Sequence, residues 1–315
     1  MLNRRHIRIK ILHMLYAMSQ SGGKTLASAE KELFMSIEKM YEMYLYLLLV
    51  IIEIKDTAAA KIEDNKKKRL PTEEDLNPNM RFVNNRLIYQ LENNRSLKKA
   101  ADRVKVSWMG EGELVRKFYR HLVETEEYRS YMNAEENDYA ADKEVVIRFF
   151  KRHLVNMEAL QSFFDERSIF WSDDLDIVAS MVIKTLKSFD EKSDEDFPIL
   201  DLWKDPEDEI EFTRELFRKS HAQAKEHTEL IQECTENWEI ERIATMDMIL
   251  MRMALSEARI FKQIPLKVTL NEYIELAKYY STPKSSTFIN GVLDKLFEQL
   301  RESGKIKKVG RGLIQ

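Results

Sequence analysis

Helical periodicity near the end of the chain constrains the fold more than any other feature. Residues 264–297 have the pattern of two amphipathic helices joined by a polar turn. Apolar residues recur at i, i+3, i+4 and i+7 in both segments, which places them on one face of each helix. They are Leu270, Tyr273, Ile274, Ala277 and Tyr280, then Ile289, Val292, Leu293, Leu296 and Leu300. Gly291 interrupts the second stripe. Because a mid-helix glycine costs roughly 1 kcal/mol against alanine, we expect another backbone to come close to it.

The composition favours helices along the whole chain. Among 315 residues there are only 8 Gly and 6 Pro, while 33% are charged and 44% are apolar. This balance is typical of long helices and not of turn-rich β structure. We therefore expect an all-α fold of one large or two ordinary domains. The formal net charge is −4, so any basic surface has to be local.

Cysteine usage and the start of the chain favour a cytoplasmic protein. The single Cys234 excludes a disulfide framework and is compatible with a reducing compartment. A secretory signal needs an uninterrupted apolar block, whereas residues 7–18 contain Arg8, Lys10 and His13. We expect no leader sequence.

One apolar run calls for a comparison with membrane spans. Met43–Ile52 is unbroken apolar sequence, but Glu42 and Glu53 bound it, and a spanning helix needs about 20 apolar residues. We expect a buried core helix and no membrane contact.

The middle of the chain predicts further helices. We expect a long helix at 28–62 and others at 81–105, 111–131, 142–166 and 174–188. Lys66–Arg69 lies in an exposed loop, either solvated or making an auxiliary RNA contact. His153 shares an apolar helix face and has no second ligand at i+3 or i+4, so we interpret it as a core-edge histidine.

A strongly acidic connecting segment, residues 190–211, ends in helix-start signals. Asp205 has the position of an N-cap and Pro206 that of the first helical residue. Further on, Cys234 is predicted to be a small core residue, and Asp247 to cap the helix that holds Ile249 and Leu250.

The N-terminal helix carries a cluster of cations. Asn3 is a predicted N-cap, and Arg4, Arg5, Arg8 and Lys10 follow it with no acidic residue between them. Positive charges in the first turn oppose the helix dipole. Two interpretations remain open, a phosphate-contacting patch and a solvated terminus.

These segments together resemble the NusB transcription antitermination family. The resemblance rests on Pro-Leu-Lys-Val-Thr-Leu-Asn-Glu-Tyr-Ile-Glu-Leu-Ala-Lys at 265–278, on Phe-Ile-Asn-Gly-Val-Leu-Asp-Lys at 288–295, and on residues 236–257. At the N-terminus, Arg4, Arg5, Arg8 and Tyr16 are similar to the family's arginine-rich motif and the helix that follows it. His6 stands where a third arginine is usual, and Ile9 where a glutamate is usual.

The resemblance implies a NusB-like helical bundle assembled from both ends of the chain. It assigns residues 1–20 and 206–300 to this core, residues 21–205 to an inserted helical region and residues 301–315 to a basic C-terminal tail. Loops on a helical core tolerate long insertions, because the closure cost grows slowly with length.

The resemblance also implies a function. NusB proteins bind boxA-type single-stranded RNA in rRNA transcripts together with the ribosomal protein NusE, within the transcription elongation complex. The implied RNA-binding residues are Arg4, Arg5 and Arg8, with Lys10 as an auxiliary contact, Tyr16 and Phe288 as stacking surfaces, and Lys284 as added positive charge. Core packing is the alternative for both aromatic residues. Asp247 is a candidate contact for the protein partner, with capping as the alternative.

No catalytic motif is found in the sequence. Gly22-Gly23-Lys24 lacks the spacing of a phosphate-binding loop, and the histidines do not form a His-Glu-x-x-His pair. We therefore expect no enzyme, no cofactor and no metal. The alternative to an RNA-binding factor is a helical protein-interaction scaffold that retains the fold without binding RNA.

Overall fold

The structure is a computed structural model, and it describes residues 2–235 and 243–313. Within these ranges the chain forms α-helices and short 3-10 turns and contains no β-strand. The all-α prediction is therefore confirmed. Residues 236–242, which carry part of the resemblance, lie outside the described residues.

The helices are numbered in chain order. They are α1 (Arg4–Gln20), α2 (Leu26–Lys66), α3 (Glu73–Leu76), α4 (Arg86–Asn93), α5 (Arg95–Val104), α6 (Gly112–Glu124), α7 (Glu126–Asn133), α8 (Tyr139–Arg152), α9 (Glu158–Arg167), α10 (Leu175–Ser188), α11 (Pro206–Ala222), α12 (Ala224–Cys234), α13 (Thr245–Ile260), α14 (Leu266–Tyr280) and α15 (Ser285–Glu302).

The chain divides into two compact units. The middle unit comprises Glu38–Leu202, and the terminal unit combines Leu2–Ile37 with the described part of Trp203–Gln315. Helix α2 contributes its first residues to the terminal unit and the rest to the middle unit. The domain boundaries given by the resemblance stay predictions.

An aromatic cluster around Tyr46 of α2 forms the core of the middle unit. Its ring lies edge-on to Trp108, Phe163 and Trp171, with centroid distances of 5.6, 5.6 and 6.0 Å. The indole N–H groups of Trp108 and Trp171 donate to backbone carbonyls of α2 at 3.0 and 2.6 Å, so these buried polar atoms are satisfied. The apolar run Met43–Ile52 lies almost entirely buried in this helix, as predicted. None of the helices within the described ranges has the length and apolar character to cross a membrane.

Three segments of the middle unit that were predicted as single helices are interrupted. Asn94 ends α4 and starts α5, because its side chain accepts a hydrogen bond from the Leu97 N–H at 2.8 Å. Thr125 does the same between α6 and α7. Helix α8 ends at Arg152, and a 3-10 turn precedes α9. The capping side chains of Asn94 and Thr125 satisfy backbone N–H groups that a continuous helix would bond internally.

His153 lies at the end of α8 and is a core-edge residue, as predicted. Its side chain is 27% exposed, and Nε2 lies 3.2 Å from the Glu127 carboxylate. The ring also stacks on Phe149, with 6.0 Å between centroids. The part of the chain that the structure describes contains no group of His, Cys, Asp and Glu side chains suited to a metal ion.

The acidic connecting segment is fixed to the middle unit over its first half. The Gln90 side-chain amide donates to the carbonyls of Asp190 and Ser193 at 2.8 and 2.9 Å. Arg95 pairs with Glu195 and Asp196. Apolar contacts add to these hydrogen bonds, because the Phe197 ring centroid lies 4.6 Å from that of Phe189 and Ile199 is buried.

The terminal unit is built around α1, which packs against α11 and α13, while α13, α14 and α15 pack against one another. Asn3 caps α1 and Asp205 caps α11, with Pro206 as the first helical residue, which confirms these predictions. Cys234 is only half-buried, and its thiol lies 3.2 Å from Gln299 Oε1. The prediction that it is a core residue was therefore wrong.

Candidate nucleic-acid interface

Helices α1 and α14 run side by side in the same direction. Arg5 contacts Glu272, and eight residues further along both helices His13 contacts Tyr280, with 5.0 Å between ring centroids. Tyr16 lies about one turn beyond His13 and reaches the level at which α14 ends. The N-terminal helix and the turn between α14 and α15 therefore lie at one edge of the terminal unit.

Arg8, predicted to contact RNA, points into the unit. Its Nε and Nη2 atoms donate to the Glu257 carboxylate at 2.7 and 2.8 Å, and the two side chains are 4% and 0% exposed. The hydroxyl groups of Thr269 and Tyr273 donate to the same carboxylate at 2.9 and 3.1 Å. Burial disfavours the charge on Arg8, but Glu257 more than offsets this and raises the pKa of Arg8. The result is a buried ion pair that ties α1 to α13 and α14.

Arg4 and Arg5 lie at the solvent edge of the same helix. Arg5 donates to both carboxylate oxygens of Glu272 at 2.9 and 2.8 Å, yet its side chain is 45% exposed. Arg4 contacts Asp208 at 2.7 Å and is 30% exposed. Burial alone would raise the pKa of Glu272, but the hydrogen bond from Arg5 and the two arginine charges lower it. Both surface arginines are thus held by acids but remain accessible.

His6 and Lys10 of the same helix add little accessible charge. Burial, helped by the charge of Arg5, lowers the pKa of His6 to about 4. The residue at the usual third-arginine position is therefore neutral at neutral pH. Lys10 is buried, with 6% of its surface exposed.

The turn after α14 brings the remaining predicted RNA-binding residues to the same edge as α1. Lys284 is exposed at the start of α15, and Phe288 is half-buried one turn later. Tyr16 is 38% exposed, so part of its ring is open to a stacking partner. The predicted RNA-binding residues therefore separate into an accessible group and a buried group. The accessible group contains Arg4, Arg5, Tyr16, Lys284 and part of Phe288, and the buried group contains Arg8 and Lys10.

Asp247 has a different structural role from the predicted one. It lies inside the first turn of α13 and Ala244 occupies the N-cap position, so the capping prediction was wrong. Its two carboxylate oxygens accept hydrogen bonds from the hydroxyls of Ser281 and Ser285 at 2.5 and 2.7 Å. The carboxylate therefore fixes the α14–α15 turn to the start of α13. With only 5% of Asp247 exposed, its contact with a protein partner stays a prediction.

Sequence reasoning missed the acids that organise this edge. Glu257 and Glu272 determine where the arginines point, and neither was assigned a role. A signal was present for Glu257, which stands among apolar residues from Met248 to Ala258. A carboxylate in such a stretch needs a charged partner, and the N-terminal arginines were available to supply it.

Comparison with known proteins gives a family match for part of the chain. Residues 177–298 match the NusB family model. The chain carries a NusB-family domain. The match begins in α10 and ends in α15. It does not include α1, so the resemblance of the N-terminal arginines stays a prediction.

Three bacterial proteins, each named transcription antitermination protein NusB, are similar to part of the chain. The protein of Salinibacter ruber is 46% identical over 104 residues, which cover 33% of this chain and 65% of the relative. That of Chloroherpeton thalassium is 47% identical over 79 residues, covering 25% and 37%. That of Natranaerobius thermophilus is 44% identical over 75 residues, covering 24% and 54%. The chain thus spans less than two thirds of the length of each of these relatives. No solved structure matches the chain significantly.

Proposed function

We propose that this protein is an RNA-binding transcription antitermination factor. The observation that carries the proposal is the NusB-family match over residues 177–298, shared with relatives named transcription antitermination protein. At a finer level, we propose that it binds boxA-type RNA during rRNA transcription, together with the ribosomal protein NusE and as part of the elongation complex.

The proposed RNA contacts lie along the edge formed by α1 and the α14–α15 turn. Arg4, Arg5 and Lys284 bind phosphates, and Tyr16 and Phe288 stack on unpaired bases. Arg5 and Tyr16 are eleven residues apart on α1. At about 100° per residue they therefore share a side of the helix, roughly 16 Å apart along its axis.

Replacing an acidic partner by a phosphate should cost little free energy at Arg4 and Arg5 and much more at the buried Arg8–Glu257 pair. An exposed ion pair is worth about 0–1 kcal/mol, so a phosphate can replace Glu272 at Arg5 or Asp208 at Arg4. Removing one partner from a buried pair costs about 3–5 kcal/mol. We therefore propose that Arg8 and Lys10 act on RNA only indirectly, and that the Arg8–Glu257 pair positions the helix.

Titration of a boxA-type RNA at several salt concentrations, with and without NusE, tests the proposal. The informative variant is Arg4→Gln with Arg5→Gln. On single strands each neutralised phosphate contributes about 0.7 to the log–log salt slope, so the loss of two contacts should flatten the slope by about 1.4. A Tyr16→Leu variant should lose about 1–3 kcal/mol of binding free energy with little change in slope, because stacking is not a charge interaction.

The matched control is Lys61→Gln with Lys184→Gln, two exposed lysines of the middle unit. It changes the net charge equally but removes no proposed contact. Equal slopes for the arginine variant and the control would reject this RNA interface.

The alternative is a helical protein-interaction scaffold that does not bind RNA. The observation that favours it is that Arg4, Arg5 and Arg8 all have acidic partners within the chain. Under this alternative, the wild-type chain binds NusE with the same affinity whether RNA is present or absent, and RNA alone gives no saturable binding.

A further inference from the structure

The described residues leave a groove in the terminal unit unfilled. Helices α14 and α15 and the segment that follows α15 enclose a space of about 940 Å³. None of the residues proposed to bind RNA lines it. The groove is therefore a separate surface from the proposed RNA interface.

Gly291 forms part of the wall of this groove. We expected another backbone to approach this glycine, and within the described chain that prediction was wrong. A Cβ atom built at Gly291 would meet no atom within 4 Å. A residue that costs the helix roughly 1 kcal/mol thus faces open space, which is the arrangement that lets a partner's backbone approach closely.

The floor of the groove is aliphatic. Leu266 and Leu270 are half-buried, and Leu313 is 67% exposed at its edge. Ile306 and Phe297 lie beneath them, each 4% exposed. Leu270 belonged to the stripe predicted to face the core, but here it lines the groove. The floor of the groove therefore exposes aliphatic side chains but no aromatic ring face.

The segment after α15 builds one wall, and hydrogen bonds hold it in place. The Ile306 N–H donates to the Leu300 carbonyl at 3.0 Å, and the Val309 N–H donates to the Lys262 carbonyl at 3.1 Å. Gly312 lies so close to Lys262 that a Cβ atom would be 2.1 Å from its carbonyl oxygen. Only glycine fits there, so the wall is formed before any partner binds.

The charge around the groove is mainly positive. Lys267, Lys295 and Arg301 line it, and within the described ranges none of them forms an ion pair. Further exposed cations, Lys305 and Arg311, lie on the segment that builds the wall. The acidic residues of the lining are Asp294 and Glu298. An occupant with negative charges at its margins would complement this rim.

We propose that the groove binds an amphipathic helix of a protein partner, with apolar side chains toward the floor and carboxylates toward the rim. A helix laid in an apolar groove is a recurrent mode of peptide recognition, and Gly291 lets its backbone come near α15. Single-stranded RNA fits the cations but not the floor, because stacking needs exposed aromatic faces and Phe297 is buried. The proposal does not depend on RNA binding elsewhere.

A synthetic peptide tests the proposal on the full chain. The probe is a fluorescently labelled helix of about 18 residues, long enough to form in isolation, with leucines on one face and glutamates on its flanks. We expect saturable binding to the wild type by fluorescence anisotropy. Gly291→Tyr should weaken binding at least tenfold by filling the groove, whereas Gly291→Ala should have a small effect. Both variants should fold, because a side chain at this position meets nothing in the described chain.

Glu302→Tyr is the matched control, since it adds the same side chain at an exposed position of α15 outside the groove lining. It should bind the probe as the wild type does. A second probe, with lysines replacing the glutamates, should bind much more weakly. Equal binding by Gly291→Tyr, equal binding of the two probes or no binding of the acidic probe would each overturn the proposal. Saturable binding of labelled oligouridylate to the wild type, which the acidic probe competes away and Gly291→Tyr weakens at least tenfold, would identify RNA as the occupant instead.

Discussion

Each unit buries a carboxylate that an arginine and a tyrosine bind, and the two sites differ in how far the arginine reaches solvent. In the terminal unit, Glu257 accepts from Arg8 and from the Tyr273 hydroxyl. In the middle unit, Asp142 is 1% exposed and accepts from Arg86 Nε and the Tyr131 hydroxyl, both at 2.6 Å.

The difference lies in the arginine. Arg8 is 4% exposed, whereas Arg86 is 37% exposed. Each has a second acidic neighbour, Glu272 at 3.4 Å from Arg8 and Glu191 at 3.5 Å from Arg86. Without Glu257, Arg8 would keep only the longer contact with Glu272 and little access to water, whereas water could solvate Arg86. The same hydrogen-bonding groups should therefore contribute very differently to the stability of the two units.

The largest expected effect is at Glu257. Glu257→Gln keeps the size of the side chain but leaves the buried Arg8 charge with only its longer contact to Glu272, at 3.4 Å. Because removing one partner of a buried pair costs about 3–5 kcal/mol, we expect the terminal unit to lose about 3 kcal/mol of unfolding free energy. Hydrogen exchange measured on peptides from α13 and α14 reports this unit directly.

A double variant, Arg8→Met with Glu257→Gln, separates charge from packing. It removes both charges, while the glutamine carbonyl can still accept from Thr269 and Tyr273. It should therefore be more stable than Glu257→Gln alone, with a coupling energy of about 2 kcal/mol. Additive losses would show that the pair does not interact as the distances indicate.

Acid should also distinguish the two units. His227 of α12 is fully buried, and burial, with the charge of Arg259, lowers its pKa to about 4. In the unfolded chain a histidine titrates near pH 6.5, so the folded terminal unit binds fewer protons between about pH 6.5 and 4. Its stability should fall by about 3 kcal/mol as the pH decreases through this range, and not change further from this group below it.

His227→Gln should remove this contribution, whereas the contribution of His6, whose pKa is also lowered to about 4, should remain. The comparison is hydrogen exchange in α13 against α4 of the middle unit, whose described histidines His121 and His153 are not fully buried. If the variant and the wild type lose protection in parallel, other groups cause the acid sensitivity of the terminal unit.

A smaller effect is expected at Asp142. Asp142→Asn keeps an acceptor for the Tyr131 hydroxyl and leaves Arg86 partly solvated and close to Glu191. We expect the middle unit to lose about 1–2 kcal/mol, the cost of weakened hydrogen bonds. Urea unfolding followed by hydrogen exchange in α4 and α8 measures it. A loss as large as that of Glu257→Gln would mean that solvent access does not decide the difference between the units.

The sequence predicted the helices well and the side-chain partners poorly, for physical reasons. Periodicity and caps are local, so the starts of α1 at Asn3 and of α11 at Asp205 were found. The breaks at Asn94 and Thr125 were also local but were missed, because apolar periodicity continues across them.

The direction of the N-terminal arginines depends on residues far away in the chain. Arg8 and Glu257 are 249 positions apart, and only packing of α1 against α13 brings them together. A charged residue next to an apolar stripe can face solvent or a buried partner, and spacing alone does not distinguish the two. For the same reason Gly291 was correctly recognised as unusual, but no sequence signal indicated that the described chain leaves its face open.

The smallest expected effect on stability is at Glu272, and it sharpens the contrast between the two sides of α1. Glu272→Gln breaks the pair with Arg5, whose side chain is 45% exposed, and the 3.4 Å contact with Arg8. Because Arg8 keeps its shorter contacts with Glu257, the terminal unit should lose only about 1 kcal/mol. If Arg5 binds phosphates as proposed, the same change should raise RNA affinity, because the carboxylate no longer competes for the guanidinium or repels the RNA.

Anisotropy titrations at fixed salt measure this RNA affinity. The control is Glu275→Gln on the same helix, which removes an acid outside the Arg5 pair. Stronger binding in both variants would indicate a general charge effect. Stronger binding only in Glu272→Gln would mean that Glu272 competes with RNA for Arg5. The buried Glu257 would then differ in role, because its pair with Arg8 stabilises the fold.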